Sequence, residues 1–136
     1  RNEAVFLGNM GDALFRLERF DEAKRAWRQA IPIGDEAFPT AAGAFRGSLA
    51  LLLAQQDQFE EARSMLETGE AQVESYPEEH AKFLAKKGQV CHLAEDADGA
   101  QVSLNQARAL AADLKVGDDS DVGRAIRELE AVLGEG

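Results

Sequence analysis

The chain is 136 residues long, 45% hydrophobic and 29% charged, with a formal net charge of −10 and one cysteine, Cys91. That size and mixture describe a single globular domain; the lone cysteine excludes an internal disulfide framework and a cysteine zinc cluster, and the acidity argues against nucleic acid or an anionic membrane as partner. The longest apolar run, residues 49–54, is far short of the roughly 20 residues that span a bilayer, and no segment reads as a signal peptide, so no membrane insertion and a cytoplasmic location are expected.

Taken in chain order, the apolar spacing predicts seven helices. The first covers residues 2–17, with Leu7, Met10, Gly11 and Leu14 on one face. The second covers 20–31 through Phe20, Ala23, Trp27, Ala30 and Ile31, and Pro32 and Gly34 are expected to stop it. The third covers 40–56, with Pro39 suited to a first helical turn, and the fourth covers 58–74. The fifth covers 77–94, with Ser75 as its expected cap, and the sixth covers 98–114, closed by Lys115, Val116 and Gly117. The seventh, 120–133, carries an apolar stripe of Val122, Ala125, Ile126, Leu129, Val132 and Leu133 against polar Arg124, Arg127, Glu128 and Glu130, the pattern of a terminal cap.

The first six helices repeat. Ala23, Ala62 and Ala100 close three similar phrases at spacings of 39 and 38 residues. The same spacing aligns the small residues Gly8, Gly47 and Ala85, then Gly11, Ala50 and Gly88, then Ala30, Gly69 and Ala107. It aligns Phe6, Phe45 and Phe83, and the large apolar Trp27, Leu66 and Leu104. Short side chains at fixed helical positions allow helices to approach closely. The repeats span residues 4–37, 43–76 and 81–114, and a capping helix covers 119–134.

These residues resemble the tetratricopeptide repeat. The first unit reads Leu7-x-x-Met10-Gly11-x-x-Leu14, followed by Ala23, Trp27 and Ala30. The third departs most, with Lys87 at a usually apolar position and Cys91 at a usual tyrosine. Each unit has Glu18, Asp57 or Glu95 in place of the usual glycine between its helices. The resemblance implies an all-α, right-handed α-solenoid of three antiparallel helix pairs plus one C-terminal helix. It further implies a non-enzymatic interaction module that binds a peptide or helix of another protein in a concave groove.

The family's groove is lined by the first helix of each unit. Carried over, the lining residues are Val5, Gly8, Asp12 and Phe15, then Ala44, Gly47, Leu51 and Ala54, then Lys82, Ala85, Gln89 and His92, with Lys86 one turn beyond Lys82. Val5, Phe15 and Leu51 make the first two units apolar, while Lys82 and Lys86 make the third basic. A ligand with an apolar segment and an acidic end suits this pattern. The Gly8, Gly47 and Ala85 column is expected to leave the middle of the groove open. Some members of the family clamp chaperone C-terminal carboxylates. Lys82 and Lys86 resemble two of that clamp's cations, but Gly8, Asp12 and Ser48 replace its lysine and two asparagines, and Asp12 would repel a carboxylate.

Catalytic and metal chemistry find little footing. His80 and His92 are the only histidines. Cys91 and His92 are adjacent along a helix and point about 100° apart, so they form no working pair, and Cys91 reads as a core residue. No phosphate-loop or metal-ligand spacing is present, so no cofactor and no metal are expected. Phe6 belongs to an aromatic column but has no preceding unit, and the chain starts with Arg1 rather than Met. The expectation is a piece of a longer solenoid, a homo-oligomer through this N-terminal edge, or a first helix that tilts to cover Phe6. Residues 1–68 carry a net −3 and residues 69–136 a net −7.

Overall fold

A computed structural model describes residues 2–134, and Arg1 lies outside the described residues. These form seven α-helices and no strand: α1 Asn2–Arg16, α2 Phe20–Ala37, α3 Pro39–Gln55, α4 Phe59–Val73, α5 Pro77–Leu93, α6 Ala97–Leu114 and α7 Asp121–Leu133. The most extensive packing joins α1 to α2, α3 to α4 and α5 to α6. The helices α1, α3, α5 and α7 also form a row, each packed on the next. No helix among the described residues is long and apolar enough to cross a membrane.

The turn inside each pair is the same structure three times. Glu18, Asp57 and Glu95 take left-handed backbones, with φ of 61°, 62° and 62°. Around each, one N–H reaches back five residues: Arg19 to Leu14 at 2.9 Å, Gln58 to Leu53 at 2.8 Å and Asp96 to Cys91 at 2.8 Å. This is the Schellman ending, in which the left-handed residue satisfies carbonyls that the helix leaves open. Lys115, at φ 58°, ends α6 in the same way.

The corners between pairs have a different cause. Phe38 precedes Pro39 and Tyr76 precedes Pro77, and the proline ring disfavours helical backbone at the residue before it. Phe38 accordingly sits at φ −145°, ψ 76° and Tyr76 at φ −120°, ψ 94°. Two expectations are corrected here. Ser75 does not cap α5, because Tyr76 occupies the cap position and no side chain bonds there. Pro32 does not stop α2; it lies inside that helix, which ends only at the Pro39 corner. An interior proline costs roughly 3 kcal/mol. Buried Ala30, Ile31 and Gly34 on the same stretch, which packs against α3, offset that cost.

The core runs through the middle helices. On α3, the residues from Ala42 to Ala54 are buried on nearly every side, because α1, α2, α4 and α5 all pack on it. Trp27, Phe45, Leu49, Leu53, Leu66 and Phe83 form one cluster, and Leu84, Leu104, Val122, Ile126 and Leu129 form a second around α5 to α7. The aromatic and small columns meet between units. A Cβ placed on Gly8 would overlap the Phe45 ring, and one on Gly47 would come 2.9 Å from Phe83 Cδ2. The Gly8 and Gly47 positions are therefore filled by the next unit's phenylalanine, which corrects the expectation of an open mid-groove there. A polar clasp ties α2, α3 and α4. Arg46 holds Asp35 with two hydrogen bonds of 2.6 and 2.9 Å and donates to Gln72 at 2.7 Å, and Gln72 donates to Asp35 at 2.8 Å.

Candidate functional site

The row of α1, α3, α5 and α7 encloses a cavity of about 200 Å³. Asp12, Phe15 and Arg16 reach it from α1, Trp27 from α2, Ser48 and Leu51 from α3, Ala85, Lys86 and Gln89 from α5, and Ala125 and Glu128 from α7. Six of the expected groove residues thus come together: Asp12, Phe15, Leu51, Ala85, Lys86 and Gln89.

Helical spacing explains the convergence. Asp12 and Phe15 are three apart, as are Lys86 and Gln89 and also Ala125 and Glu128, so each helix offers two neighbouring side chains to one place. Gly11 lets the Trp27 indole lie close against α1, since a Cβ there would come 2.5 Å from Nε1. From that seat Trp27 Nε1 donates to the Gly8 carbonyl at 3.2 Å and to Asp12 Oδ1 at 3.1 Å. Phe15 stacks obliquely on Trp27 and Phe20, with ring centres 5.9 and 5.6 Å away. Asp12 is therefore fixed by a buried donor, with aromatic rings beside it.

Lys86 is the unusual member. Among the described residues it makes no hydrogen bond and no ion pair, yet it is half-buried in the cavity wall. Burial pushes its pKa down; Asp12, Glu128 and Glu79 pull it back up, and Lys82 pushes it down. Burial likewise pushes the Asp12 carboxyl above its ordinary range, against the opposing pull of Lys86, the Trp27 hydrogen bond, Arg16 and Lys82. Burial makes each of the two groups harder to charge. A desolvated cation without an acceptor is costly to keep and is ready to accept one from outside.

The other expected groove residues lie elsewhere. Lys82 pairs with Glu79 on its own helix at 2.9 Å and is not a free cation of the pocket. Val5 and His92 are exposed and outside it. Phe6 is exposed. Sequence reasoning missed Arg16, Trp27, Ser48, Ala125 and Glu128 as lining residues. The apolar stripe of α7 puts Glu128 on the wet face of a cap. Its three-residue offset from Ala125 was the available signal, but nothing in the sequence showed that α7 would pack on α5.

A larger cavity of about 400 Å³ lies between α4, α5 and the start of α6, lined by Phe59, Arg63, Leu66, Glu67, Glu70, Lys87, Cys91 and Asp96 among others. Its polar groups are mostly paired: Lys87 donates to Glu70 at 2.7 Å, and His80 Nε2 lies 3.1 Å from the same carboxylate. Cys91 is half-buried, not a core residue as expected, and burial together with Asp96 pushes its thiol up, away from reactive thiolate. The smaller cavity, where the half-buried Lys86 ammonium and Asp12 converge with aromatic rings, is the candidate site.

No protein-family model matches the chain, and no curated protein matches it.

Proposed function

We propose that this chain is a non-enzymatic protein-binding module of tetratricopeptide-like, right-handed solenoid form, and that α1, α3, α5 and α7 line its concave groove. The partner inserts one side chain into the pocket between Asp12 and Lys86. The observation that carries this reading is Lys86: a half-buried ammonium with no hydrogen-bond or ion-pair acceptor among the described residues, lining a cavity that fits one side chain. The best-suited guest is an apolar stem ending in an amide, with the stem on Phe15 and Leu51, the amide oxygen on Lys86 and its N–H toward Asp12. Three recurrent Schellman turns and the packing of Phe45 on Gly8 and of Phe83 on Gly47 support the repeat form. A scaffold or adaptor role in the cytoplasm follows from the same reading, and the single free thiol suits a reducing compartment.

The test is selection from a random peptide display library on the immobilised chain, followed by titration of enriched peptides against wild type, Lys86→Met and Leu51→Glu. The reading expects Gln or Asn beside an apolar residue in the enriched set, and at least a tenfold loss of affinity with each variant. Peptides that bind both variants as well as wild type would overturn it.

A further inference from the structure

The cavity lining includes two carboxylates and two cations: Asp12 and Arg16 from α1, Lys86 from α5 and Glu128 from α7. Helices α1 and α7 are the two ends of the row, so Asp12 and Glu128 reach the cavity from different sides of the chain. The position of Glu128 follows from how α7 sits. Ile126 and Leu129 are buried, and Leu129 seats on Gly88 of α5, where an added Cβ would come 2.6 Å from its Cδ2. That seat fixes the rotation of α7 and turns Ala125 and Glu128, three residues apart, toward the cavity. Glu128 is exposed and makes no hydrogen bond or ion pair among the described residues, whereas Asp12 accepts the Trp27 N–H. Burial lowers the Lys86 pKa most, and Asp12 and Glu128 both oppose it, so both carboxylates act on that ammonium.

We infer that Glu128 is a specificity residue of the pocket: together with Asp12 its carboxylate turns acidic side chains away and leaves the neutral amide of Gln or Asn as the guest. This role presupposes that the cavity takes a partner's side chain, as the proposed function has it. The charges of the lining balance, so a guest carboxylate adds net charge to a half-buried site and must reach Lys86 past two carboxylates. Arg16 offsets part of that repulsion but is exposed, where water screens it. Lys82 is engaged by Glu79 at 2.9 Å and adds no free cation. A guest ammonium meets the same obstacle from Lys86 and Arg16. An amide carries no net charge and can give its N–H groups to the carboxylates while its oxygen accepts from Lys86. Helix α7 thus does more than cover α5 and α6: it supplies one wall of the pocket and part of its preference.

Two peptide display pools test this, with Leu-Gln or Leu-Glu fixed at the centre of otherwise identical random sequences. Both are selected together on the immobilised chain, and sequencing gives the Gln-to-Glu ratio among the retained peptides. Wild type should favour the Gln pool at least about fivefold, and Glu128→Gln should raise retention of the Glu pool and lower the ratio at least about threefold. Asp113→Asn removes one negative charge from an exposed position of α6 outside the cavity lining and should leave the ratio as in wild type. A wild type that does not favour the Gln pool, a ratio that Glu128→Gln does not move, or one that Asp113→Asn moves as far, would overturn the role of Glu128. Lys86→Met tests the pocket separately. Enrichment of both pools that this variant leaves unchanged, or no enrichment of either pool on wild type, would overturn the side-chain pocket and the role of Glu128 with it.

Discussion

The ring of Phe45 occupies the space in which a side chain at position 8 would stand, so Gly8 and Phe45 are two halves of one contact between α1 and α3. The contact joins the first repeat to the second, and Gly47 with Phe83 repeats it more loosely between α3 and α5. Gly8→Ala should destabilise the chain by about 2 kcal/mol or more, because overpacking outweighs the gain of up to about 1 kcal/mol in helix propensity. Gly47→Ala should cost less. Urea unfolding of Gly8→Ala with and without Phe45→Leu checks the assignment: the smaller partner should recover part of the loss, and additive effects would place the damage elsewhere.

The three Schellman turns carry strain that glycine would relieve. Glu18, Asp57 and Glu95 hold positive φ without being glycine. A left-handed residue with a side chain costs on the order of 1 kcal/mol, partly balanced by the extra freedom that glycine has in the unfolded chain. Replacing each by glycine should raise the unfolding free energy by roughly 0.5 kcal/mol or more apiece, read as a higher urea midpoint, and the three gains should add because the sites are distant. A lower midpoint at any of them would mean that the side chain does something there beyond filling the turn.

Acid should loosen the helix contacts through two carboxylates. Hydrogen bonding to Arg46 holds Asp35 below its ordinary range, and at Glu70 the hydrogen bonds from Lys87 and His80 outweigh the upward push of burial. A depressed folded pKa contributes stability that is complete above the ordinary carboxylate range and is lost as pH falls through the folded value. Urea unfolding between neutral and acid pH should therefore show a steeper acid loss in wild type than in Asp35→Asn or Glu70→Gln.

Asp12 should behave in the opposite sense. Its folded pKa is raised, so its ionisation opposes folding, and the stability it contributes when protonated is lost as pH rises through that value. Asp12→Asn keeps an acceptor for the Trp27 N–H. It should be more stable than wild type at neutral pH, with the difference closing on acidification. A destabilised Asp12→Asn at neutral pH would show that the carboxylate is a structural charge, not one kept at a cost for binding.

Much of the fold was legible in the sequence because its signals are local. The apolar spacing along each helix and the Pro39 and Pro77 corners act within a few positions of where they are read. Pro32 misled for the same reason: its local cost is real, and burial of Ala30, Ile31 and Gly34 overrides it only after folding. The α1, α3 and α5 side of the pocket, apart from Arg16 and Ser48, was an expectation of the resemblance, which assigns the first helix of each unit to the groove. The α7 contribution, Ala125 and Glu128, depended on how the last helix packs, which no periodicity encodes. Gly8 and Gly47 look like gaps in sequence and are sockets in the structure, because the ring that fills each comes from a neighbouring repeat.

Amide-shift mapping by NMR, with an enriched peptide titrated into the labelled chain, tests the binding reading most directly. Perturbations should concentrate at Asp12, Phe15, Leu51, Lys86, Gln89 and Glu128, and Lys86→Met should abolish them while leaving the helices intact. Perturbations gathered instead around Phe59, Arg63, Lys87 and Asp96 would put the partner in the larger cavity and contradict a groove built on α1, α3, α5 and α7.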